Sequence, residues 1–115
     1  VRPRRNMDDF VIVLTNLPDR EAALRLAHEL VAKRLAACVN VLAECASVYR
    51  WRGAVEDARE VPVLIKTRAV RYAEVEAAIR GLHPYELPEI ISVPVVRGCD
   101  DYLRWVADDT SISIG

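Results

Sequence analysis

Three cysteines, four glycines, two histidines and one phenylalanine are all that this 115-residue chain holds of those residues, and each shortage excludes something. An odd cysteine count in a chain of this length is no disulfide framework, and it predicts a reducing compartment, the cytoplasm. The few glycines never gather into a phosphate-cradling loop. There is also no nucleophile elbow and no His-Glu-x-x-His pair, so no enzymatic activity is expected. No apolar run approaches the ~20 residues needed to cross a bilayer. Nor does the N-terminus show the apolar h-region of a signal peptide, so none is expected. Charge of one sign is missing too: 16 basic against 17 acidic residues leave a formal net charge of −1. Nucleic acid, which calls for a basic face, is therefore not an expected partner. Arg2, Arg4 and Arg5 form the sole basic run, in a predicted N-terminal tail, residues 1–8.

What is present is apolar. At 52% hydrophobic and 29% charged, the chain can bury one domain core, predicted over residues 9–108 with a tail at 109–115. The run Phe10-Val11-Ile12-Val13-Leu14 reads as a strand buried on both faces. Asp19 suits the N-cap of a helix running to about residue 35, with Leu24, Ala27, Val31 and Leu35 on its apolar stripe. His28 lies beside that stripe and reads as a half-exposed helix histidine. Residues 38–51 carry Val39, Val41, Val48, Tyr49 and Trp51 with no helical period. Gly53 and a polar turn region around Glu56-Asp57 then lead to a strand at 60–67, so residues 38–67 form one long hairpin. Helical spacing returns over 71–82, where Tyr72, Val75, Ile79 and Leu82 share a face. A strand at 89–96 contains Pro94, which suits a sheet edge or a bulge. A last helix over about 100–107 buries Leu103 and Val106. The order is β-α-β-β-α-β plus a terminal helix. That is an α+β, ferredoxin-like sandwich in which two helices cover one face of the sheet.

The hairpin is long for its domain. About 14 residues at ~3.4 Å each span roughly 48 Å, whereas a globule of this length has a diameter of roughly 34 Å. The hairpin must bend, or project with Val48, Tyr49 and Trp51 in its outer part. An isolated two-stranded ribbon is marginal in water, so burial against further copies, a homo-oligomer, is expected. Pro62 removes a ladder donor from the second strand and predicts a bulge there, or a strand that lies beyond the inner sheet at that point.

The densest chemistry lies in His83-Pro84-Tyr85-Glu86-Leu87-Pro88-Glu89-Ile90-Ile91. Two prolines stiffen this connector, which holds an imidazole, a phenol and two carboxylates. Together with Leu35-Ala36-Ala37-Cys38-Val39-Asn40, Ser47-Val48-Tyr49-Arg50-Trp51-Arg52-Gly53, Leu64-Ile65-Lys66-Thr67, and Gly98, Tyr102, Leu103 and Trp105, it resembles the CutA family of divalent-cation-tolerance proteins. The resemblance covers about residues 10–107. It implies a ferredoxin-like subunit in a tight homotrimer, similar in plan to the PII signalling proteins, and a link to tolerance of copper and other divalent cations. The oligomer follows from the length of the ribbon; the number three comes from the resemblance alone.

The resemblance also implies a copper set made of a cysteine after the first strand and two histidines before the Pro-Tyr. Those positions hold Thr15, Leu82 and His83 here, so only the second histidine is kept. The candidate metal ligands are His83, Glu86 and Cys38, for copper or another divalent cation, with no cofactor required. A structural His83, bonded to a carbonyl at the corner, is the competing reading. Cys38 and Cys45, an odd seven residues apart, are expected on opposite strand faces and more than ~20 Å apart. That predicts two small buried thiols and no shared metal. Trp51 and Trp105 are expected as packing anchors. Glu60, Lys66, Glu89 and Arg50 are expected as a polar lattice at subunit junctions, which leaves open a PII-like module that binds a small anion or a protein partner.

Overall fold

The computed structural model describes residues 9–111; the tail 1–8 with its arginines, and residues 112–115, lie outside them. Strand β1 (Phe10–Leu17) occupies the middle of a wholly antiparallel sheet. On one side it pairs with the 15-residue β4 (Ala54–Arg68), and on the other with β5 (Ile90–Pro94). Beyond β4 lie β2 (Cys38–Val41) and β3 (Cys45–Trp51), which meet the same strand one after the other. Pro94 sits on the edge strand, where a missing ladder donor is tolerated.

Helices α1 (Arg20–Ala32) and α2 (Tyr72–Leu82) cover one face. Asp19 caps α1 as its sequence suggests, its side chain accepting the Ala22 N–H at 2.8 Å. The buried stripe is Ala23, Leu26 and Leu30, not the expected Leu24, Val31 and Leu35 face. Leu24 and Val31 are 39% and 45% exposed. Ala22, Ala23, Leu24, Leu26, Ala27, Leu30 and Val31 offer two neighbouring stripes, and contact with Val13, Leu17, Val61 and Val63 selects one of them. The helix also stops three residues early. Arg34 takes a left-handed φ of 60°, and the N–H groups of Leu35 and Ala36 return to the Leu30 carbonyl. Leu35 is still buried, in the connector rather than the helix.

The expected bulge is present, and it changes a parity. Between the pairs Val41↔Val63 and Cys45↔Glu60, residues 42–44 face only residues 61–62. The Pro62 carbonyl accepts the Leu42 N–H at 2.9 Å. Amide and carbonyl of one strand residue point the same way, so the donor that proline lacks falls at the break between β2 and β3. The extra residue puts Cys38 and Cys45 on the same face of the sheet, correcting the opposite-face expectation. Cys38 stands across from Lys66 and Cys45 across from Glu60, six residues along β4 and therefore still about 20 Å apart.

The hairpin turn is Arg52-Gly53, both at positive φ (52° and 84°), with Trp51 paired to Ala54. That is the two-residue turn whose twist matches its strands. Glu56 and Asp57, expected in the turn, lie within β4 instead. The ribbon projects: the molecule measures 47 × 35 × 22 Å with a radius of gyration of 15.4 Å, against about 13 Å for a compact chain of this length.

Helix α3 (Asp100–Asp109) packs across the end of β4. Arg34, Arg68 and Arg71 all donate to carbonyls of its last turn and the residues just after, so Thr110 is fully buried. The packed unit thus runs beyond residue 108, where a tail was expected.

Candidate functional site: a cleft between ribbon and proline corner

Alternation along β1 decides which side chains meet the helices. Val13, Thr15 and Leu17 point at α1 and α2, with Val61, Val63 and Ile65 beside them on β4, all of them buried. The opposite face carries Ile12, Leu14, Leu64, Ile91 and Val93. An antiparallel sheet with one open face normally turns polar residues outward. Here Ile91 is 50% and Val93 41% exposed.

The same open face continues along the ribbon as Glu60, Ser47, Tyr49 and Trp51. The corner at 83–89 stands against it, and between the two lies a cleft of about 660 Å³. Three aromatic rings (Tyr49, Trp51, Tyr85) and three carboxylates (Glu60, Glu86, Glu89) line it, together with Arg50.

His83 builds the corner. Its Nε2 is hydrogen-bonded to the Asn16 carbonyl, and its Nδ1 accepts the Tyr85 N–H at 3.2 Å. This pairing selects the Nε2–H tautomer and occupies both ring nitrogens. The Tyr85 ring lies 4.5 Å from the imidazole, centre to centre. Asn16 anchors the corner a second time, its amide donating to Glu89 at 2.8 Å. Glu86 pairs with Arg52 at 2.9 Å, and that guanidinium also sits 5.1 Å from the centre of the Trp51 ring. Both partners are largely exposed, so the pair contributes little to stability.

Glu60 is the buried carboxylate of the cleft, 8% exposed. The Tyr85 phenol lies beside it in the same cleft. Burial pushes the Tyr85 phenol above its usual range, reinforced by the charge and hydrogen bond of Glu60.

Of the candidate ligands, the fold brings His83 and Glu86 to one corner and leaves Cys38 apart. Cys38 pairs with Lys66, four residues along β4 from the Pro62 that faces Asn16, and on the other side of that strand, hence more than about 14 Å away. Its thiol contacts Asn40 instead. Among the described residues no three His, Cys, Asp or Glu side chains are placed to hold a metal ion within one chain. Thr15, at the position of the family's cysteine, is 2% exposed, and its hydroxyl has no hydrogen-bond partner. Glu60, Glu89 and Arg50 of the expected lattice line the cleft; Lys66 does not. Asn16 escaped sequence reasoning, since nothing local marks an asparagine that bonds 67 and 73 residues away.

The fold and cleft together define a ferredoxin-like α+β domain with one helix-covered sheet face and a projecting ribbon. Residues 11–109 match the model of the CutA1 divalent ion tolerance protein family. The divalent-cation tolerance protein CutA of Thermus thermophilus is 38% identical over 99 residues, 86% of this chain and 96% of that one. A CutA homolog of Xenopus laevis is 42% identical over 91 residues, 79% of this chain and 60% of its own. The crystal structure of CutA from Xylella fastidiosa superimposes with a TM-score of 0.87 at 39% identity, covering 90% of this chain and 99% of that one. The chain belongs to the CutA family. The family is named for divalent-cation tolerance, not for a catalysed reaction. Among the described residues no helix is long and apolar enough to cross a membrane.

Proposed function

We propose that this chain is the subunit of a cytoplasmic homotrimer linked to tolerance of divalent cations, copper included, which it binds weakly where the clefts of neighbouring subunits meet. The observation that carries the reading is the open sheet face. Phe10 to Leu14 is apolar at every position, yet α1 and α2 cover only alternate residues, so a second covering layer has to come from another copy. The ribbon points the same way, with Val48 69% and Val55 66% exposed. Cys38 and Cys45, too far apart to pair within the chain, suit a reducing cytoplasm.

Among His83, Glu86 and Cys38, Glu86 has the accessible donor in the cleft. With Glu89 and a neighbour's residues it forms an oxygen-rich rim for a hydrated divalent ion, while His83 contributes by holding the corner. Copper titration of the untagged assembly tests this. Saturable binding that Glu86→Gln weakens supports it; identical isotherms for the wild type, Glu86→Gln and His83→Ala defeat the metal reading.

A PII-like module that takes a small anion is the second reading, favoured by Arg50. This guanidinium lines the cleft and has no ion pair among the described residues. A thermal shift with inorganic phosphate or a nucleotide, and none with Cu²⁺ or Zn²⁺, would decide for it.

A further inference from the structure

The inner wall of the cleft differs from its rim. Glu86 and Glu89 at the rim have partners in Arg52 and Asn16, whereas Glu60 lies deeper, at 8% exposure, and forms no ion pair among the described residues. A buried carboxylate with only a phenol as partner is an incompletely compensated negative charge. Facing the same cavity are the rings of Tyr49, Trp51 and Tyr85, whose π-faces attract cations. The approach of the Arg52 guanidinium to Trp51 is one such contact already made within the chain.

We propose that this inner wall is a binding site for organic ammonium cations, with Glu60 as counter-ion and Tyr49, Trp51 and Tyr85 as an aromatic enclosure. The chemistry separates this class from metal ions. A divalent metal needs several anionic oxygens, imidazoles or thiolates to replace a strongly held hydration shell. One carboxylate and three rings cannot supply that set. A weakly hydrated alkylammonium has the complementary needs: one charge, a little apolar surface and room. A volume of about 660 Å³ falls in the ordinary range for small-molecule sites, about 300–1,000 Å³. The Tyr85 phenol lines the cavity beside Glu60, whose carboxylate oxygens remain acceptors for an N–H donor. This inference goes beyond the metal-tolerance reading and needs no metal.

The test uses the untagged assembly carrying Trp105→Phe, which leaves Trp51 as the sole indole. Tetramethylammonium and n-butylamine are titrated against Trp51 emission, with potassium chloride at matched concentration as the control. The expected result is a saturable change with both amines and none with the salt, weakened about tenfold or more in Glu60→Gln. Tyr49→Leu, at a position already 44% exposed, is a second variant that leaves Glu60 and Tyr85 unchanged and is expected to weaken binding severalfold. A response equal to that of potassium chloride overturns the proposal, as does unaltered affinity in whichever of the two variants remains folded by circular dichroism. Copper binding on the same sample, present or absent, reports separately on the rim.

Discussion

Two threonines on the helix-covered face of the sheet give a prediction whose sign depends on a single hydrogen bond. Thr15 and Thr67 are 2% and 1% exposed, on adjacent strands. The Thr67 hydroxyl donates to the Leu35 carbonyl at 2.7 Å, closing the connector after α1 onto β4. The Thr15 hydroxyl has no partner. A buried polar group left unsatisfied costs about 1–3 kcal/mol, and a methyl buried in its place gains about 0.8 kcal/mol if it fits without strain. Thr15→Val should therefore stabilise the fold by about 1–2 kcal/mol. Thr67→Val should destabilise it by about 1–3 kcal/mol, because it leaves the Leu35 oxygen without its donor. At this chain length 1 kcal/mol corresponds to about 4 °C in Tm, so the two variants should melt on opposite sides of the wild type. The assay is urea unfolding at one fixed protomer concentration, read as a shift in midpoint at constant slope. A loss in Thr15→Val comparable to that in Thr67→Val would refute the reasoning.

Two glycines should respond oppositely to alanine. Gly53→Ala, at φ +84° in the turn with open space around it, should cost about 1–2 kcal/mol through backbone strain alone. Gly81→Ala, inside α2 with nothing near its new methyl, should add about 0.5–1 kcal/mol. Alkaline pH should weaken the fold. The phenols of Tyr72 and Tyr85 are both held above the ordinary tyrosine range, chiefly through burial, with Glu76 and Glu60 respectively adding to it. For a folded pKa raised above the unfolded one, the stability contribution is complete below pH 10 and disappears as pH climbs through the raised values. Phenolate absorbance should show Tyr72 and Tyr85 titrating late, and a single unshifted transition would contradict this. Ile91→Lys, on the half-exposed open face, should dissociate the proposed assembly while leaving helical circular dichroism intact.

Much of this architecture can be read from the residues alone. Proline and capping signals at Asp19, Pro62 and Pro94 act locally, and each has the expected consequence. The excess length of the ribbon needs only a rise per residue, and the long axis of the molecule agrees with it. Less legible were features decided by distant partners. α1 carries two adjacent apolar stripes, so Leu24 and Leu26 look alike until the sheet selects one. The bulge opposite Pro62 was expected, but its effect on parity depends on counting residues 42–44 against 61–62, a register set by β4. The proline corner was recognised as the candidate site from composition. That the His83 Nε2 would be occupied follows from Asn16, a residue with no local signal. Glu60 was expected at a junction, and its burial against Tyr85 required the corner to fold over the ribbon.

The central claim is that the open sheet face around Ile91 and Val93, and the Val48–Val55 side of the ribbon, are sheltered by copies of the same chain. Light scattering on untagged protein, followed through serial dilution, tests it most directly. A mass three times the 12.9 kDa protomer, persisting on dilution, is predicted. A folded species of one protomer mass at every concentration would contradict it.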